Sequence, residues 1–188
     1  MENRKTRKNR GITPVAMVIY DSLSGHTLSM ARAIARGLRQ EGIKVEVIKT
    51  TDVKLDDMVK ADAIVLGSPD YFCSMSYKMK ALVDESVVLF PGKLKDKVGA
   101  VFASGGGIGG GIETTALSMA LALLMHQMVI VGHQSGSTGA ICPGKPDDAC
   151  LESCREFGQR IAKITLSLVK PKENIKNAAK SGQRVSAG

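Results

Sequence analysis

What most constrains this chain is a rhythm. Between residues 15 and 169, short apolar runs alternate with longer amphipathic stretches. The first run, 15–20 (VAMVIY), is apolar without interruption, as a strand buried on both faces must be. The stretch after it places Leu28, Ala31, Ile34, Ala35 and Leu38 on one helical face and stops at Gly42. Further strands are expected at 45–48, 63–67 (AIVLG), 98–104 (VGAVFAS) and 128–131. Helices are expected at 75–88, from about Glu113, and at 148–169. Five strands alternating with helices specify a parallel sheet covered on both sides, in one domain over 14–169.

Charge divides the chain in the same place. The 188 residues carry a net charge of +8, with four of those charges in residues 1–13 and four in 170–188. The body between them is neutral. The two basic tails have the composition of solvated ends. No aromatic side chain is interleaved with their charges to stack on bases, so nucleic acid is not the expected partner. No apolar core of a signal peptide follows the basic start, and the most apolar stretch, 116–132, is broken by Ser118, His126 and Gln127. A membrane span is therefore not expected, and the cytoplasm is the expected location. The four cysteines, Cys73, Cys142, Cys150 and Cys154, contain no CxxC pair, and reduced thiols without a metal are the expectation.

Ligands of open α/β sheets bind beyond the carboxyl ends of the strands. Three loops leave such ends here. The first, Ser22-Leu23-Ser24-Gly25-His26-Thr27, sets three hydroxyls and a glycine before a helix N-terminus, where free N–H groups and the positive dipole end favour an anion. It has no Lys, so it is not a triphosphate-binding loop. A phosphate held by hydroxyls and amides suits a monophosphate. The second is Gly67-Ser68-Pro69-Asp70-Tyr71-Phe72-Cys73-Ser74-Met75. The third contains Ser104-Gly105-Gly106-Gly107-Ile108-Gly109-Gly110. Within it, Gly105, Gly107 and Gly110 satisfy a dinucleotide GxGxxG. That fingerprint also wants an acid about twenty residues on, and none occurs between Glu113 and Asp147, so the match is incidental.

The three loops, in this order, resemble those of the flavodoxin-like FMN proteins. Within that group they are similar to the WrbA-type NAD(P)H:quinone oxidoreductases and NADPH-dependent FMN reductases. The likeness runs over about residues 15–169 and includes His126-Gln127-Met128-Val129-Ile130-Val131. It implies a doubly wound five-stranded parallel sheet of order 2-1-3-4-5 with helices on both faces. It gives the phosphate of FMN to Ser22, Leu23, Ser24, Gly25, His26 and Thr27. Ser68, Pro69, Asp70, Tyr71 and Phe72 would lie beside the flavin ring and ribityl chain, and the backbone from Ser104 to Gly110 would face the pyrimidine end of the ring. His126 and Tyr71 are the implied catalytic candidates.

The same resemblance implies NAD(P)H as co-substrate, a quinone-like small acceptor and a homodimer or homotetramer. The alternative it leaves is an electron carrier of the flavodoxin type, with FMN and a protein redox partner. Three positions depart from the family pattern: Tyr71 stands where Arg is common, Leu89 or Phe90 where an aromatic is often Trp, and 132–136 lacks the family's Gly-Tyr. FMN binding is thus carried by more residues than quinone reduction is.

Overall fold

A computed structural model describes residues 13–169; apart from Thr13, the two basic tails lie outside the described residues. The elements in chain order are β1 (Val15–Tyr20), α1 (His26–Gln40), β2 (Lys44–Lys49), α2 (Leu55–Lys60), β3 (Ala63–Tyr71) and β4 (Ser74–Met75). They continue with α3 (Tyr77–Glu85), β5 (Val98–Gly105), α4 (Ile112–Met125), β6 (Val129–Ile130), β7 (Ala140–Pro143) and α5 (Asp148–Leu168). The strand order is β2-β1-β3-β5-β6, all parallel. This is the expected five-position sheet, but it is built from seven strands.

The two additional strands have separate causes. β4 is a hairpin return on β3, pairing Asp70 with Met75 and Tyr71 with Ser74. β7 runs parallel on β5, opposite Phe102 to Gly105, whereas β6 pairs only Val98 and Gly99 of the same strand. The fifth position is therefore one strand interrupted by the loop 131–139. The expected strand at 128–131 supplied only its first half.

Alternation along the strands builds two cores. Ala16, Val18, Val65, Ala100 and Phe102 face α1 and α5, while Met17, Ile19, Ile64, Leu66, Val101 and Ala103 face α2, α3 and α4. On the first face α1 and α5 approach closely: a Cβ on Gly37 would lie 1.9 Å from the Arg155 carbonyl oxygen, and one on Gly158 2.1 Å from that of Ile34. No helix among the described residues is long and apolar enough to cross a membrane.

Candidate functional site

The carboxyl ends of β1, β3 and β5 carry the three loops, and cross-links among them define the site. Gly25 occupies the left-handed region, with φ 88°, and opens α1. Its N–H donates to Ser22 Oγ at 3.1 Å, which folds the loop back on itself. No side chain caps α1, so the N–H groups of its first turn remain directed outward from the helix end. Leu23 and Ser24 are exposed, and Ser22 and His26 half-buried. The sequence therefore builds an uncapped helix start among hydroxyls, which is an anion seat.

Thr27 is buried, and its hydroxyl lies 2.9 Å from Ser104 Oγ at the end of β5. Either oxygen can donate. With Ser104 as donor, the Thr27 proton is left for an anion at the helix start. A second cross-link joins the other two loops: Thr115 Oγ1, on the first turn of α4, donates to Asp70 Oδ1 at 2.6 Å.

The second loop is the β3–β4 hairpin. Its two central residues, Phe72 and Cys73, have φ of 53° and 62°, the signs that a two-residue hairpin turn requires. Neither is glycine, so the turn carries strain that its neighbours must hold. The Thr114 hydroxyl donates to the Cys73 carbonyl at 3.2 Å, and Gly111 lies so near that an added Cβ would sit 2.5 Å from Cys73 Cα. The tip thus rests on the start of α4, with the Phe72 side chain fully exposed and Tyr71 partly so.

The third loop is backbone. A Cβ added at Gly106, Gly107 or Gly109 would meet nothing within 4 Å. Ile108, 77 % exposed, is the one large side chain between Gly105 and Gly111.

Two expected residues stand elsewhere in this arrangement. Ser68 is fully buried; its hydroxyl donates to the Pro69 carbonyl and accepts from Ser76 N–H. It organises the turn into α3 rather than presenting an oxygen to a ligand. His126 follows the last residue of α4, whereas the glycine loop precedes the first. The fourteen-residue helix between them separates the two by roughly 20 Å at its usual rise. There His126 Nε2 lies 2.8 Å from Ser86 Oγ, among Met58, Leu66, Leu82 and Leu123. Burial holds its pKa below the ordinary value. Within one chain the structure does not bring His126 to the loops; it is a buried residue beyond the far end of α4.

Thr115 was missed by sequence reading, because its partner Asp70 is 45 residues away. So was the pairing of cysteines: Cys142 and Cys150 are joined as a disulfide, with Cα atoms 6.2 Å apart. The expectation of four reduced thiols is corrected for these two. Cys73 is a free, exposed thiol and Cys154 a buried one, with burial pushing its pKa up to about 12.

With this geometry in hand, comparison with known proteins is decisive. Residues 54–140 match the model of the NADPH-dependent FMN reductase family. A protein named NAD(P)H dehydrogenase (quinone) from Archaeoglobus fulgidus is 33 % identical over 186 residues, spanning 81 % of this chain and 97 % of the relative. This chain is a flavodoxin-like FMN protein of the WrbA and FMN-reductase type. A solved flavodoxin from the domain Archaea superposes with a TM-score of 0.71 at 31 % identity, covering 81 % of this chain and 99 % of the other. A WrbA-like protein from Agrobacterium tumefaciens gives the same TM-score at 24 % identity, covering 82 % and 99 %, and so bears on the fold.

The loops of this flavodoxin-like FMN protein fit the cofactor on their own evidence. The α1 start offers unsatisfied N–H groups and hydroxyls to a monophosphate, and the glycine loop is open around Gly106 and Gly107, while Gly109 N–H donates to Glu113 Oε1 at 3.4 Å. Of the carboxylates at these loops, Asp70 is engaged by Thr115 and Glu113 by Gly109 N–H. Donors are thus available at both ends of the three-loop cluster.

Proposed function

We propose that this protein transfers two electrons from NAD(P)H, by way of FMN, to a quinone or similar small acceptor. FMN when bound supplies acceptance of a hydride and its delivery as an electron pair; the protein supplies position and electrostatics. Ser22, Ser24, Thr27 and the N–H groups opening α1 hold the phosphate. Asp70, Tyr71 and Phe72 wall one side of the ring, and the backbone from Ser104 to Gly110 donates to its pyrimidine edge. Those donors favour the negative charge that develops there on reduction, without reorganising at that moment.

The observation that carries an enzyme reading is the bare third loop. With open space at Gly106, Gly107 and Gly109 and no aromatic between Ser104 and Thr115, nothing on that side stacks over the ring, so a small donor and then an acceptor can occupy the same place. The name borne by the Archaeoglobus relative supports the same reading.

An electron carrier serving a protein partner is the second reading. It is favoured by Phe72, wholly exposed at the hairpin tip, and by the flavodoxin likeness. The test is anaerobic titration of FMN-loaded, desalted protein with NADH and with NADPH. Bleaching of the flavin band by either nucleotide, followed by recovery on adding a quinone, is expected. A retained band that ignores both nucleotides would replace the enzyme with the carrier.

A further inference from the structure

Beside the third loop lies a cluster that the FMN site does not use. Cys142 sits on β7 directly opposite Ser104 of β5 and is fully buried. Cys150 and Cys154 stand one turn apart on α5, the first half-buried and the second buried. The three sulfur atoms all lie within 4.8 Å of one another. The disulfide accounts for two of them and leaves the third pressed against it.

We infer that, once Cys142 and Cys150 are reduced, Cys142, Cys150 and Cys154 form a site for one thiophilic divalent ion of the zinc class. Four-coordinate zinc has sulfur ligands about 2.3 Å away, which puts pairs of them roughly 3.8 Å apart. Reduction frees the bonded Cys142 and Cys150 sulfurs to separate toward that spacing, and Cys154 Sγ lies within 4.8 Å of both. Two of the ligands come from one helix at a spacing of four, which aims both at a common point.

A fourth coordination position is left open. It faces a cavity of about 230 Å³ lined by Cys150, Cys154 and His133, together with the hydroxyls of Ser135, Ser137 and Ser153. Water can complete the coordination there. Binding replaces three S–H protons, which pass to solvent, by one ion, and no electrons move in that step. The ion and the disulfide exclude one another, because both need the sulfurs of Cys142 and Cys150. The consequence is structural: β7, four residues long, becomes fastened to α5 one strand away from Ser104.

The test uses the full chain, reduced with a phosphine (which takes the disulfide to two thiols and becomes its oxide with an oxygen from water), freed of metal and titrated with Co²⁺. Binding of one Co²⁺ per chain is expected, with the intense charge-transfer absorption of thiolate–cobalt bonds and displacement by Zn²⁺. Cys150→Ser and Cys154→Ser should each weaken binding by roughly 100-fold or more, since losing even an outer-shell partner costs about 10–100-fold. Cys73→Ser should leave it unchanged. Circular dichroism of each variant separates loss of a ligand from loss of the fold, and the half-buried Cys150 provides the milder substitution. Absence of Co²⁺ binding, binding without thiolate absorption, or binding indifferent to Cys150 and Cys154 would overturn the inference. None of these readings uses FMN or turnover, so the metal site and the proposed activity fail independently.

Discussion

Thr27 and Ser104, 77 residues apart in the chain, share one buried hydrogen bond of 2.9 Å between their hydroxyl oxygens. That bond ties the start of α1 to the end of β5. The anion seat and the glycine loop are therefore one rigid object. A cofactor with phosphate at one end and a ring at the other needs this, because its length fixes the separation of the two loops.

Removing either hydroxyl strands the other in the interior. With FMN held as proposed, Thr27→Ala also deletes a donor to the phosphate, so FMN should dissociate about 10-fold more readily, equivalent to roughly 1.4 kcal/mol. Fluorescence titration of apoprotein with FMN measures it. Thr27→Ala with Ser104→Ala should cost less than the sum of the single changes, since the partner is no longer left unsatisfied. Strict additivity would argue that the two hydroxyls act separately.

The Thr115–Asp70 bond makes a comparable claim for the hairpin. Thr115→Val keeps the volume but withdraws the donor from the carboxylate, a loss of about 1.5–3 kcal/mol for a bond to a charged group. Urea unfolding should register that loss, and FMN affinity should fall with it. A variant as stable as the parent would show that the 2.6 Å contact is not maintained in solution.

Helix contact rather than chemistry governs Gly37 and Gly158. Each substitution to Ala drives a methyl into a facing backbone carbonyl, which cannot rotate away as a side chain would. Separating α1 from α5 should cost at least about 3 kcal/mol for either one, more than typical overpacking. A thermal midpoint within a few degrees of the parent would contradict the packing described.

Burial lowers the pKa of His126, so the unfolded chain takes up a proton at a higher pH than the folded protein does. The stability that a neutral His126 contributes is complete above the ordinary value of about 6.5 and is lost as pH falls through the lower folded value. The urea midpoint should therefore decline from about pH 7 to pH 5. His133, also lowered chiefly by burial, contributes in the same direction. His126→Gln should flatten the decline; an unchanged pH profile would mean that the imidazole takes up its proton equally in the folded and unfolded states.

The sheet and the hydroxyl-rich loop that opens α1 were legible in the sequence because their causes are local. Val15 to Tyr20 is apolar at every position, and Ser22 to Thr27 sets hydroxyls and a glycine against a helix start, so contiguous residues carry both the strand and the loop. Ser68 and His126 were assigned by their neighbours in sequence. The tertiary structure turned Ser68 inward to the α3 turn and carried His126 along α4 to the far end of the sheet. Nor does local pattern reveal β7, whose pairing depends on β5 38 residues earlier, or the approach of Cys142 to Cys150 and Cys154. What the sequence determined by itself were the elements and the three loops that leave their carboxyl ends, because periodicity and helix-end electrostatics act over a few residues. Which side chains meet was decided only by the tertiary structure, because hydroxyls, thiols and carboxylates find partners across the distances that sheet register and helix packing close.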